Sequence, residues 1–292
     1  MENLIYKDKA YSLEGLEQDY KNFDGNMNKH DDFKSYYTLA QSLETLDHSY
    51  SRAGDRLEAL HELLFTAKFS LLNSYKKFYS DLSESNEDYK THLLRRSHYL
   101  KNAIVWYNSC EDYVFQIISF AYDLHGINIT SYREYEEALK ECDYLKIKSK
   151  LVDINGKNAK KLLAIIKNYH FNPDVNYLRV KLANNLKHHG NLHFEGLVNY
   201  KLGSYMERNY DTGKELYNSN WTGFHVVDID ETIEKLKTVH NLLVNFIRNV
   251  LEFIDFKACL PTGEKKIVLG RICTVTKDKA DYRKILYKKV EI

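Results

Sequence analysis

The stretch LLRRSHYLKNAIVWYNSCEDYVFQIISFAYDLHG, residues 93–126, decides the fold. Leu93, Leu100, Ala103, Ile104, Tyr107, Cys110, Val114, Ile117, Ile118 and Ala121 recur at helical intervals and stack into one apolar stripe. The spacing predicts a helix over about Glu87–Leu124, closed by His125 and Gly126, because glycine reaches the left-handed conformation that ends a helix. A second stripe, Leu57, Leu60, Leu64, Ala67, Leu71, Tyr75 and Phe78, predicts a helix from about Asp55 to Leu82, broken at Ser83–Asn86. A joint that short makes the two helices an antiparallel hairpin.

Working outward, residues 10–23 and 31–51 read as two modest helices, the second capped by Asp31 or Asp32. Ser131–Ile154 reads as a short acidic helix followed by a basic one, and Asn158–Tyr169 as another with Leu162, Leu163, Ile165 and Ile166 inward. Asn172, Pro173 and Asp174 start a helix through Val175, Leu178, Leu182 and Leu186 that stops at Gly190. His193–Gly223 lacks periodicity and reads as a long ordered loop with strands. The last helix runs from Asp228 or Asp230 to about Phe256. Beyond Pro261, Lys266–Thr276 and Lys284–Ile292 alternate and are β-branched, the pattern of a basic β-hairpin. The expectation is an all-α bundle of long antiparallel helices with a small C-terminal β-hairpin. Its parts are an N-terminal helical extension over 1–85, a bundle over 86–256 and a tail over 257–292.

Composition bounds the function. With 42 basic against 41 acidic residues the net charge is +1, so any contact with nucleic acid must be local. Only two prolines interrupt the chain, which suits long helices, and its 24 tyrosines suit half-wet helix seams. Cys110, Cys142, Cys259 and Cys273 form no CxxC or zinc spacing and read as reduced thiols, Cys110 as core packing. No long apolar run exists, and Met1–Asp24 carries acids and tyrosines where a signal peptide would be apolar. The reading is a cytoplasmic protein, neither exported nor membrane-spanning. Motifs for zinc proteases, nucleoside triphosphatases and dinucleotide enzymes are absent, and no cofactor or metal is expected.

Chemistry concentrates in RVKLANNLKHHGNLH, residues 179–193. At α-helical spacing Lys181, Asn184, Asn185 and His188 share a side next to the apolar one. Imidazole exchanges a proton near neutral pH, while cationic and amide groups stabilise an anionic oxygen. This is the equipment for cleaving a phosphodiester through the neighbouring hydroxyl, or for binding phosphate. A plain alternative is a cationic helix end with a glycine cap. Elsewhere, Asn108, Glu111 and Asp112 read as a polar helix side able to face the histidine helix, and His92 and His98 near Arg95 and Arg96 as a solvated basic turn. Lysines and arginines from Lys265 to Lys289 make the tail a further nucleic-acid candidate.

Two of these pieces carry a resemblance. Asn184-Asn-Leu-Lys-His-His-Gly190 looks like the basic-residue-to-histidine motif near a helix end in the HEPN superfamily, the all-helical domains of prokaryotic toxins, defence proteins and antiviral ribonucleases. Asn102–Gln116 is similar to the early long helix of some bacterial members. The resemblance spans roughly Glu87 to Phe256. It implies RNA cleavage or binding in a toxin or phage-defence setting, metal-independent endoribonuclease chemistry, a homodimer, and a protein partner such as an antitoxin. In that reading His188 is the acid or base, Lys181 or Arg179 stabilises the phosphate, and Asn184 and Asn185 position it. Active members place an arginine, then four to six intervening residues, then the histidine; counted back from His188, those places hold Lys181, Leu182 and Ala183, and Arg179 lies further back. The other reading is a non-catalytic helical module for oligomerisation or protein interaction.

Overall fold

The computed structural model describes residues 4–40, 48–79, 89–188, 192–197, 205–208, 215–218, 225–254, 256, 263–268 and 271–276. The chain is mostly helical, as its periodicity predicts. It forms two compact units, each assembled from separate segments: Met1–Met27, Ala67–Val105 and Asn176–Val239 in one, Asn28–Thr66, Trp106–Val175 and His240–Ile292 in the other. Four of the five unit boundaries fall inside helices. Among the described residues no helix is long and apolar enough to cross a membrane.

In the first unit the chain begins with β1 (Leu4–Tyr6) paired antiparallel to β2 (Lys9–Tyr11). The two linking residues, Lys7 and Asp8, both take positive φ (46° and 62°), which is what a two-residue hairpin needs to match strand twist. No glycine advertises this turn, and the sequence reading had no strand here. α1 (Leu13–Gly25) follows, its first turn capped by the Ser12 hydroxyl, which accepts from the Gly15 N–H at 3.1 Å. Phe23 stacks on Tyr75 with centroids 3.9 Å apart, and Lys77 and Lys68 pair with Asp19 and Asp24 at 2.9 and 2.7 Å.

Tyr75 ends α3 (His48–Tyr75), which follows α2 (Phe33–Ala40), and α4 spans Tyr89–Ala121. Within the first unit the Arg96 Nε donates to the Ser74 carbonyl at 2.7 Å. Within the second, Ser49 donates to Asp123 at 2.6 Å and the Arg56 guanidinium sits 5.9 Å from the Tyr113 ring centroid. In the second unit the contacts move back toward the start of α4 as they move forward along α3, so there the two helices run antiparallel. Leu57, Leu60, Leu64, Ala67 and Leu71 are buried, as is the whole α4 stripe from Leu93 to Ala121. α3 begins and ends earlier than its apolar run suggests, and residues 80–88, with the expected break at Ser83–Asn86, lie outside the described residues. The helix expected over 31–51 is α2 and the start of α3, with residues 41–47 likewise outside. Asp32 meets Arg248 in an ion pair at 3.0 Å.

The second unit continues with α5 (Tyr132–Lys140), α6 (Tyr144–Ile154) and α7 (Lys157–His170), the acidic, basic and apolar-sided helices of the sequence reading. Their ends are written locally. Ser131 and Glu134 make a capping box, and hydrogen bonds from Thr130 and Ser131 hold the Glu134 carboxyl at about 2. Asp143 caps α6, and Asn155 leaves it in the left-handed conformation. α10 (Ile229–Leu251) passes through both units, opened by Asp228, whose carboxylate accepts from the Glu231 N–H at 2.8 Å. In the second unit the His240 Nε2–H donates to the Asn28 carbonyl at 2.8 Å, so its Nδ1 accepts from the Tyr107 hydroxyl at 3.0 Å. That buried polar link ties α4 and α10 to the chain before α2.

Short strands complete the chain. β3 (Leu192–Phe194) runs parallel to β6 (His225–Val227), and β4 (Tyr205–Arg208) antiparallel to β5 (Glu215–Asn218). At the C-terminal end, the single strand expected over Lys266–Thr276 is two, β7 (Gly263–Val268) and β8 (Arg271–Thr276), paired antiparallel with Val268 opposite Arg271. Gly270, in the two-residue interval between them, is the turn signal that reading passed over. The partner expected at Lys284–Ile292 lies outside the described residues.

Candidate functional site

The segment from Pro173 to His188 is one helical run built from three pieces: α8 (Pro173–Asn176), a π-helical stretch (Tyr177–Ala183) and α9 (Asn184–His188). Its start follows from sequence. The Asn172 side chain accepts from the Asp174 N–H at 3.0 Å, and Pro173 occupies the first turn, where its missing N–H costs nothing. Its end carries Lys187 and His188, which complement the negative end of the helix dipole. Val175, Leu178, Leu182 and Ala183 are buried, and Leu186 is half-buried.

The π stretch changes the register on which the site was read. The Asn184 N–H donates to the Arg179 carbonyl, five residues back and not four. Nine residues of uninterrupted α-helix are about two and a half turns, which would set Arg179 opposite His188. In this helix a five-residue turn closes Arg179 onto Asn184, and an α turn closes Asn184 onto His188. The three backbones follow one another at successive turns, on neighbouring sides. Of the places separated from His188 by four to six residues, Leu182 and Ala183 are buried, and Lys181 alone is exposed.

Lys181, Asn184, Lys187 and His188 are exposed, while Arg179 and Asn185 are half-buried. The Asn185 amide donates back to the Lys181 carbonyl at 2.5 Å, so one of the two amides serves the helix itself. Among the described residues no hydrogen bond or ion pair links the side chains of Lys181, Asn184 and His188. They form a surface that faces solvent. His189 and Gly190 lie outside the described residues.

Sequence reasoning missed Lys101 and His193 in the same unit. Burial lowers the Lys101 ammonium, which lies 5.7 Å from the Phe194 ring centroid. Burial, and then Lys101, lowers the His193 imidazole. A partly buried lysine in the middle of α4 and a histidine on a three-residue strand have no sequence spacing that joins them. In the second unit Glu111 meets His170, with Oε1 to Nδ1 at 2.9 Å.

The basic turn near Arg96 is a correction. His92 is buried and Arg96 is 1% exposed. Besides Ser74, Arg96 donates to the Tyr6 hydroxyl and to Asp230 Oδ1, the latter at 2.6 Å, and Tyr6 donates to Asp230 Oδ2 at 2.8 Å. Lys7 pairs with Asp228 and Asp230 at 2.7 and 2.8 Å. Burial alone would raise the Asp230 carboxyl, but Arg96, Lys7 and Tyr6 outweigh it and hold it at about 2. The partners of Arg96 come from the β1–β2 hairpin and the first turn of α10, two features that the sequence reading did not connect to it. Cys110 is buried, as expected of a core thiol, and burial pushes it far above its usual range. Among the described residues no three His, Cys, Asp or Glu side chains form a group able to hold a metal ion.

No family profile, curated protein or solved structure matches the chain.

Proposed function

We propose that the chain is a HEPN-like protein that binds or cleaves RNA, in a bacterial toxin or phage-defence setting, with the helix ending at His188 as its site. In the cleaving form His188 takes the proton of a ribose 2′-hydroxyl, whose oxygen attacks the adjacent phosphorus to close a 2′,3′-cyclic phosphate, and the displaced 5′-oxygen leaves as a hydroxyl on taking a proton from water. Arg179 and Lys181 stabilise the charge gathering on the phosphate, and Asn184 with Asn185 orients it. The step needs no metal ion. By the same resemblance the working form is a homodimer, held in check by a protein partner of the antitoxin kind.

The observation that carries this reading is the five-residue turn between Arg179 and Asn184. It moves the segment's own arginine from the side opposite His188 to a neighbouring one, where the sequence offered only Lys181. Single-turn π segments inside α-helices recur at functional sites because they re-aim side chains. The test is an end-labelled single-stranded RNA incubated with purified protein in a chelator. Cleavage lost in His188→Ala supports the reading, and intact RNA with identical binding by both proteins removes it.

A second reading, a non-catalytic interaction module, is favoured by Leu145 and Val152 on α6, 70% and 53% exposed and two turns apart. It expects Leu145→Ser with Val152→Ser to dissociate an oligomer on size exclusion and leave RNA behaviour unchanged.

A further inference from the structure

A different helix, in the second unit, presents a built polyanion surface. α7 reads KNAKKLLAIIKNYH over 157–170, with four lysines and no acid. Ala159, Leu162, Leu163, Ile166 and Tyr169 are buried, so the helix is pinned by one side. The other side, Lys157, Lys160, Lys161, Ala164, Lys167 and Asn168, is exposed throughout. Among the described residues none of these four lysines has an ion pair, whereas Lys146 on α6 is occupied by Glu141 at 2.9 Å and Asp143 at 3.6 Å. In a chain of near-zero net charge, an acid-free helix face with four cations left to solvent is a local field for an anion.

The same stripe ends in an aromatic platform. Phe171, four residues after Lys167, is 63% exposed and stands edge-on to a stacked pair, His170 on Tyr144, whose rings are 3.9 Å apart and 6° from parallel. Charge alone would suit a lipid surface or any acidic polymer. A row of cations ending in an exposed ring held by packed rings suits a strand whose phosphates track the lysines and whose base stacks at the end. From Lys157 to Phe171 the face is ~21 Å long, the length of about six stacked nucleotides.

We propose that this α7 face binds single-stranded nucleic acid, phosphates along Lys157, Lys160, Lys161 and Lys167 and a base on Phe171. The surface does not depend on the His188 reading and stands if RNA is never cleaved. The test is fluorescence anisotropy of a labelled twelve-nucleotide oligouridylate, titrated from low to moderate salt with the full chain. Replacing all four lysines with glutamine, a good helix former, is expected to weaken binding more than ten-fold at low salt. It should also flatten the log–log salt slope by ~0.7 for each phosphate that is no longer neutralised. Phe171→Ala is expected to weaken binding about five-fold or more with the slope unchanged. Lys90→Gln, at an exposed lysine of the first unit, should bind as the parent does, which separates this surface from the loss of any one surface charge. Circular dichroism melts establish that the exposed substitutions leave the fold intact. The proposal is overturned if the four-lysine variant binds the oligonucleotide as the parent does. Equal binding of a duplex and the single strand, or of anionic vesicles (phosphatidylcholine with phosphatidylserine), would overturn it as well.

Discussion

Two polar clusters in the first unit are built in opposite ways. Around Arg96, charges are drawn inward, and Tyr6, Asp230 and the Ser74 carbonyl take up its donors while Lys7 completes the carboxylates. Around His188, the side chains of Lys181, Asn184 and His188 point to solvent without bonding to one another. A charge taken out of water must be compensated where it sits, so the Arg96 cluster is spent on holding the β1–β2 hairpin to α3, α4 and α10. Groups left in water are available to a ligand. The difference separates polar residues that hold the fold together from those left in water, although both clusters are short basic runs in sequence.

The largest effect should come from breaking the inner cluster. Arg96→Met strips Asp230 and the Tyr6 hydroxyl of their shared partner, and Asp230→Asn leaves a buried guanidinium without its counter-charge. Either is expected to cost about 3 kcal/mol or more, read as the shift of a denaturant midpoint at unchanged slope. A smaller loss would mean that water reaches Arg96.

Acid should dissect the same cluster. The Asp230 carboxyl is depressed to about 2 from an ordinary value of 3.8, so the unfolded chain binds its proton first as pH falls. Its stabilisation is fully present above about pH 3.8 and is lost as pH drops toward about 2. Burial lowers the His61, His125 and His193 imidazoles from 6.5, which adds a loss at higher pH. Their contribution is complete above about 6.5 and declines as the unfolded chain protonates below it. Melting temperature against pH should therefore fall in two steps, and Asp230→Asn should shrink the lower one, leaving the share of Asp19, Asp32, Asp228 and Glu134.

The outer cluster should respond in register more than in stability. Deleting exposed Val180 shortens the five-residue turn and lets the helix continue on four-residue bonds, which changes the angle between Arg179 and His188. The expected outcome is a modest drop in melting temperature with a ten-fold or greater loss of RNA binding or cleavage. His188→Ala should be the smallest perturbation, within about 0.5 kcal/mol of the parent in stability, because an exposed side chain outside any bond network contributes little.

What the sequence made legible was period. The α3 and α4 stripes, α5 to α7 and α10 follow from apolar residues at helical spacing, and their buried positions were readable in advance. What it hid was geometry set by partners distant in the chain. Arg96 reads as a solvated cation because Tyr6 and Asp230 lie 90 and 134 residues away. The β1–β2 hairpin was hidden by strands of three residues and a turn, Lys7-Asp8, without glycine. The π stretch is invisible for another reason. Leu178, Leu182 and Leu186 keep an α-helical period through it, so the candidate residues were legible but not their arrangement. At the chain's end the signal was Gly270, outvoted by the β-branched residues around it.

The central claim is that the exposed helix ending at His188 acts on RNA, with Arg179 brought toward it by the five-residue turn. The most direct measurement is cleavage of an end-labelled single-stranded RNA in a chelator by the parent protein, His188→Ala and Arg179→Ala, each with its melting temperature. The account predicts cleavage by the parent, its loss in His188→Ala and a strong reduction in Arg179→Ala, with the His188→Ala melting temperature unchanged. Parent protein that neither cleaves RNA nor binds it differently from His188→Ala would contradict it.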